Sequence, residues 1–345
     1  MAKFKLLFKE LLFEWTHRIT KKKTIIMRFS VIIPCYNSSA TIIQTMDSVV
    51  QQSFNDWEMI VVDDCSTDET VTKVQQYINK HSDCKIRLYC KEANSGPGNS
   101  RNIAMKMAKG DYFIFLDSDD FYTKEAFGII NECIEKTNAD IVGYGNTLEI
   151  GNNIRKGVPD EFSDAKAYVA LRGGSLCTFT ASKKVWNNME LPNIKNAEDI
   201  AIVPVLFMRA KKIQTIKQCL YRYIYNKGSL SSKKNKGIYK SFYESFEVTK
   251  SFDECRNFPE EIEFHGIKTI LYGAVLNAIQ ARVSMTEVKR VIASFEEEYP
   301  HWYKNKYILH YPQRKRLFLK LVRKHHFFML RMYVLTQNLY LKIFS

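Results

Sequence analysis

Three carboxylates close the run Tyr112-Phe-Ile-Phe-Leu-Asp117-Ser-Asp119-Asp120. Asp117 and Asp119, two residues apart, offer hard oxygen ligands that suit Mg2+ or Mn2+ carrying a substrate diphosphate. Residues 112–116 are aromatic and aliphatic without polar alternation, as in a strand covered on both faces. Open α/β sheets hold their ligands at the carboxyl ends of such strands. An acidic turn ahead of a helix starting near Thr123 would use the same residues, so the acidic cluster by itself leaves both readings open.

Three further groups could work beside it. Asp63-Asp64 follows the apolar run 57–62 and can accept hydrogen bonds from a nucleobase imide or a ribose hydroxyl. The loop from Asn94 to Arg101 carries Gly96 and Gly98, which let backbone approach a ligand closely, and Arg101 can answer diphosphate charge. Glu198-Asp199 opens an apolar helix. One of its carboxylates can deprotonate an acceptor hydroxyl; an acidic first turn favoured by the helix dipole is the other reading.

The elements that must position these groups alternate regularly from Arg28 onward. Strands are expected at 29–33, 57–62, 86–90 and 112–116, with a breaking turn at Pro34-Cys35-Tyr36-Asn37. Helices are expected at 40–53, from a capping box Ser66-Thr-Asp-Glu69 through Ile78, at 100–109 with Gly110 as C-terminal cap, and at 123–137. Such alternation implies right-handed crossovers and a mostly parallel sheet flanked by helices. Beyond it come a strand at 140–147, irregular strands around an acceptor site to Val185, a helix at 200–208, an aromatic segment at 220–232, and helices at 239–256 and 266–283. From 313 a single basic amphipathic helix is expected, with Arg316, Lys320, Arg323, Lys324, Arg331, Asn338 and Lys342 returning to one stripe.

The net charge of +14 lies at the ends: residues 1–27 and 299–345 together hold +15, which leaves the middle at about −1. A near-neutral body argues against nucleic acid as a partner. Basic ends interleaved with Leu, Phe, Trp and Tyr suit an anionic membrane surface, and packing of either end on the protein's own body is the competing expectation. No uncharged apolar run reaches the ~18 to 20 residues needed to span a bilayer. Residues 1–26 lack the small-residue cleavage site of a secretion signal. The eight cysteines form no Cys-x-x-Cys pair, which favours reduced thiols in a cytosol over zinc or disulfides.

Taken together, the segments resemble the family 2 glycosyltransferases with a GT-A fold. The resemblance is carried by Phe29-Ser-Val-Ile-Ile-Pro34-Cys-Tyr36-Asn37, Ile60-Val-Val-Asp63-Asp64-Cys-Ser-Thr-Asp68, Asn94-Ser-Gly96-Pro-Gly-Asn-Ser-Arg101-Asn102, and Gly110 through Asp120. It is tight over 28–125, loosens through Glu198-Asp199 and Leu220-Tyr-Arg-Tyr to 232, then fades.

The resemblance implies a GT-A α/β domain over 28–232, with a donor half (28–125) and an acceptor half (126–232). A basic extension (1–27) precedes it, and a helical C-terminal region (233–345) ends in the amphipathic tail 313–345. It further implies that Pro34, Tyr36 and Asp64 hold the nucleobase with Asp63 beside them, that Asn94 and Arg101 lie near base and phosphates, that Asp119 is the metal ligand, and that Asp117 contacts ribose or a metal-bound water. Asp199 matches the general base of inverting members, with Glu198 beside it, and Arg222 and Lys227 would help neutralise diphosphate. The implied enzyme takes a nucleotide-diphosphate sugar, UDP-sugar foremost, and a saccharide or lipid-linked saccharide acceptor, at the cytoplasmic face of the inner membrane. A sugar-nucleotide pyrophosphorylase would want a glycine-rich basic loop where Pro34-Cys-Tyr-Asn stands. A non-catalytic relative would be expected to lack Asp119 or Asp199, and both are present.

Overall fold

The computed structural model describes residues 27–225 and 237–344, with side chains through Gln337. The N-terminal extension 1–26, the loop carrying Lys227, and the side chains of Asn338 and Lys342 lie outside the described residues.

The first half follows the expected alternation: β1 (Met27–Cys35), α1 (Ile42–Val50), β2 (Trp57–Asp63), α2 (Thr70–Lys80), β3 (Ile86–Cys90), α3 (Pro97–Met107) and β4 (Gly110–Phe115). β1 and β2 are almost wholly buried, as continuous apolar runs should be when helices cover both faces. Phe29 packs edge-on against Phe54 at 5.6 Å and Tyr112 at 6.4 Å between ring centres. The strands run parallel in the order β3-β2-β1-β4.

After β4 come β5 (Phe121–Tyr122), α4 (Ala126–Thr137), β6 (Ile141–Ile150), β7 (Asn153–Gly157), α5 (Ala165–Leu171), β8 (Phe179–Ser182), α6 (Glu198–Arg209) and β9 (Ile213–Ile224). Here antiparallel pairs join the parallel core of the sheet. β8 lies antiparallel between β4 and β6, β9 is parallel to β6 but antiparallel to β5, and β7 pairs back on β6 as a hairpin. Past residue 140 the chain lacks the strict strand–helix–strand alternation that enforces parallel neighbours, so hairpins and reversals enter.

Two local expectations fail for physical reasons. Ser66-Thr-Asp-Glu69 is not a capping box, because Asp63 takes the Ser66 N–H at 2.9 Å and its hydroxyl at 2.5 Å. α2 starts later, where Asp68 accepts from the Thr70 N–H at 2.9 Å. Gly110 is not a helix cap but the first residue of β4; a Cβ there would sit 2.6 Å from the Ser30 amide nitrogen, so close strand approach demands glycine.

The C-terminal region is helical: α7 (Ile238–Lys250), α8 (Pro259–Gly266) running through a π-helical stretch (Ile267–Ala274) into α9 (Val275–Gln280), then α10 (Met285–Glu298), α11 (Gln313–Arg323) and α12 (Phe327–Phe344). These helices bury their own apolar cluster, which Ala170 of α5 joins. The single helix expected from 313 is two helices folded on each other. His325 adopts a left-handed backbone at φ 53° between them, and Phe318 meets Tyr333 edge-on at 5.5 Å. α11 carries Phe318, Leu319, Leu321 and Val322 into the core, while Arg316, Lys320, Arg323, Lys324 and Arg331 stay exposed. No described helix is long and apolar enough to cross a membrane.

Candidate active site

The loops at the carboxyl ends of β1, β2 and β4 meet the first turns of α3 and α6. At the end of β1, Pro34 lies in register with Val62, and Tyr36 turns outward, 48% exposed. Asn37, with a left-handed φ of 48°, accepts the Thr67 N–H at 2.8 Å. This exposed tyrosine beside a polar turn offers an aromatic face to a ligand.

The two aspartates after β2 have different surroundings. Asp63 is buried and turned inward, holding Ser66. Asp64 is also buried, and its carboxylate shapes the glycine-rich loop: one oxygen accepts from Lys91 Nζ at 2.5 Å and the Ser95 N–H at 2.9 Å, the other from the Gly96 N–H at 2.8 Å. Asn94 donates to the Asp64 backbone carbonyl at 3.0 Å. Lys91 and Ser95 had no signal in the sequence, since nothing in periodicity or spacing ties them to Asp64. Gly96 itself needs its φ of +88°.

Arg101 is the hinge of the site. It is 7% exposed, donating from Nη1 to Glu198 Oε1 at 2.7 Å and from Nη2 to Asp117 Oδ1 at 2.8 Å. Burial disfavours its charge, but Asp117 and Glu198 outweigh that and hold it firmly ionised. The first turn of α3 is pressed against Glu198: a Cβ on Gly98 would lie 3.2 Å from Glu198 Cγ. Asn102 locks the same helix to the segment before α6 through a reciprocal pair with the Leu191 backbone, both bonds 2.8 Å.

Asp119 has its carboxyl pushed up by burial and by Asp117. Like-charged oxygens crowded in this way favour a cation. Among the described residues no group of three or more His, Cys, Asp or Glu side chains could hold a metal unaided. The donor set nevertheless fits Mg2+ or Mn2+, which is commonly held by one or two carboxylates with substrate phosphates and water completing the shell. Asp120, fully buried, is the inward member of the trio. It accepts from Tyr221 Oη at 2.5 Å and the Ile224 N–H at 2.8 Å, tying β9 to the motif, and burial together with Asp117 pushes it up to about 8.

Asp199 sits in the first turn of α6 with Oδ1 accepting the Ile200 N–H at 2.8 Å. Burial and the adjacent Glu198 raise its carboxyl to about 7, with Arg101 acting in the opposite sense. Glu198 is committed to Arg101, which separates the roles of the two acids. α7 braces this helix, with Ser245 donating to the Ala197 carbonyl at 2.7 Å and Thr249 to that of Ala201 at 2.9 Å. Arg222 on β9 is held by both oxygens of Glu149 at 2.8 and 2.9 Å.

A family model for glycosyl transferase family 2 matches residues 30–190. Over 209 residues the chain is 31% identical to the poly(ribitol-phosphate) beta-N-acetylglucosaminyltransferase TarS of Staphylococcus aureus, a match covering 57% of this chain and 35% of that protein. The match thus spans about a third of TarS. Against the putative teichuronic acid biosynthesis glycosyltransferase TuaG of Bacillus subtilis it is 33% identical over 225 residues, covering 64% of this chain and 88% of the relative. The crystal structure of S. aureus TarS 1–349 in complex with UDP-GlcNAc shares the fold, with a TM-score of 0.67 at 22% identity over 90% of this chain and 92% of that one. With its α/β sheet and these matches, the chain belongs to glycosyl transferase family 2.

Proposed function

We propose that this chain transfers a sugar from a UDP-sugar to a hydroxyl of a saccharide or lipid-linked saccharide in the assembly of a bacterial surface polymer. The observation that carries this reading is the Arg101 bridge, which joins a donor-side carboxylate, Asp117, to the Glu198-Asp199 turn. The sugar-polymer names of TarS and TuaG support the substrate class, and the UDP-GlcNAc held by TarS supports uridine in the donor.

In this reading Pro34, Tyr36, Asp64 and Asn94 form the nucleobase side, with Asp63 bracing it from within. Asp119 and Asp117 would hold Mg2+ or Mn2+, which when bound supplies Lewis-acid stabilisation of the leaving diphosphate. Asp199 takes the proton of the acceptor hydroxyl as its oxygen bonds to the anomeric carbon and the bond to diphosphate breaks. One displacement of this kind inverts the anomeric centre. A carboxyl near 7 suits a base working at neutral pH, and Arg101 keeps Glu198 occupied so that Asp199 remains the free carboxylate.

A peripheral position at the cytoplasmic face of an anionic membrane is part of the proposal. α12 exposes Phe328, Met329, Met332 and Leu335, with basic Lys324 and Arg331 also exposed close by in sequence. Apolar side chains among cations suit a headgroup surface.

The reading is tested by a screen of UDP-, GDP- and dTDP-sugars with Mn2+, read as nucleotide release. Release from a UDP-sugar is expected; release from none of them would overturn the assignment.

A further inference from the structure

A cavity of about 280 Å3 opens between α5, α6 and the C-terminal helices. Arg172, His265, Lys268 and Lys315 line it, and no acidic residue among the described residues does.

The cations are poorly neutralised. Lys268 Nζ donates to the backbone carbonyls of Ala170 at 2.7 Å and Arg172 at 3.4 Å, and no carboxylate among the described residues pairs with it. Lys315 Nζ lies 4.8 Å from the ring centres of both Tyr272 and Tyr311. Arg172 donates to the Thr178 carbonyl at 2.8 Å. His265 is 3% exposed, and burial and Lys268 keep its ring neutral; its Nε2 lies within 3.4 Å of Thr249 Oγ1, leaving Nδ1 as a buried acceptor without a partner. Enclosing positive charge without a counter-charge is costly. The cost is visible in Lys268, whose pKa burial and Lys315 lower to about 8, a value at which the amine is still mostly protonated at neutral pH. Lys268 also stands in a π-helical stretch, a local widening often found at functional sites.

The cavity adjoins the start of α6, although Asp199 itself does not line it. Ile200 and Gly174 line it, and Ile200 is the residue whose N–H holds Asp199. Asp117 and Asp119 do not line it.

We infer that this cavity binds a phosphate group carried by the acceptor, as a phosphodiester or diphosphate close to the hydroxyl that receives the sugar. The inference rests on Asp199 serving as the base. The Lys268 and Lys315 ammonium groups supply the charged donors that a phosphate requires, while Tyr311, Phe242 and Pro204 receive the carbon atoms attached to it.

The test uses the full chain and two probes. Inorganic phosphate is titrated calorimetrically in EDTA, which removes the metal from the donor side, against wild type, Lys268→Met and Lys315→Met. Binding by wild type and a roughly tenfold loss in each variant are expected, the scale of one charge-assisted hydrogen bond. Lys315 lies at the half-exposed rim, so its variant keeps the test usable if Lys268→Met does not fold. Transfer to a synthetic polyol-phosphate oligomer and to its dephosphorylated counterpart is then compared. In Lys315→Met, KM for the phosphorylated acceptor should rise about tenfold with kcat and acceptor-free nucleotide release unchanged. Phosphate binding with an unaltered acceptor KM would mean a site for free anion and overturn the acceptor assignment. No phosphate binding by wild type would overturn the site itself. Absence of nucleotide release from wild type would instead contradict the glycosyl-transfer reading, while the phosphate titration still reports on the cavity.

Discussion

Arg101 and Glu198 stand 97 positions apart in the chain and meet in a buried 2.7 Å ion pair, through which the N-terminal half grips the helix that carries Asp199. The same guanidinium reaches Asp117 at 2.8 Å. A lysine could replace the charge but not the two-armed geometry.

Arg101→Lys should therefore move the pH profile of transfer. The guanidinium lowers the Asp199 pKa, against the larger effects of burial and Glu198, so loosening it shifts the acid-side inflection of kcat/KM to higher pH. Rate measurements from pH 5.5 to 9 decide this. An inflection that stays in place would show that Arg101 does not tune the base.

Asp119→Asn should abolish the metal dependence of UDP binding. Its carboxyl, pushed up by burial and crowded by Asp117, is relieved by a cation. Calorimetry of wild type should find UDP binding tighter with Mn2+ than with EDTA, and the variant should show little difference between them. Equal binding in wild type under both conditions would remove the metal from the account.

Asp120 makes stability fall as pH rises toward 8. Its folded pKa is raised to about 8, so between the unfolded value and 8 the native state holds a proton that the unfolded chain has lost. The contribution is fully present below the unfolded pKa and is lost as pH rises through 8. Asp199 is raised only to about 7, so the window from 7 to 8 reports mainly on Asp120. Denaturant titrations should show wild type losing up to about 1 kcal/mol per pH unit more than Asp120→Asn there. Parallel slopes in the two proteins would contradict the assignment.

Phe328→Ser with Met332→Ser should reduce sedimentation with anionic vesicles without altering nucleotide release. Phe328 is 78% exposed, and neither side chain contributes to the buried cluster beneath α12. Binding to anionic vesicles that is unchanged in the double variant would assign the exposed ridge to protein contacts.

The N-terminal half was legible because β1, β2 and β4 are apolar runs that each end in polar residues, a pattern that both marks the strand and locates the end where the candidate site lies. The second half was less so. β8 has only four residues, and the pairing of β6 with β9 shifts register around Gly145, so neither leaves a clear period. Ser66 misled because a side chain upstream, Asp63, competes for the hydrogen bonds that a capping box would use. The tail read as one helix because its basic residues share a stripe, yet the turn at His325 folds it, and Phe318 and Val322 are drawn into the core. Partnerships such as Arg101 with Glu198 and Lys91 with Asp64 come from tertiary contact and carry no local signature. Asp120 is part of the acidic motif, but only the fold distinguishes its inward, structural role from that of Asp119.

The most direct measurement is the comparison of Asp199→Asn with wild type for both UDP binding and transfer. UDP affinity should be nearly unchanged while turnover falls by ~10^2 to 10^4, the usual contribution of a positioned base, and wild-type turnover should decline as pH drops through about 7. A variant with near wild-type turnover, or one that loses UDP binding along with transfer, would contradict the assignment of Asp199 as the group that activates the acceptor.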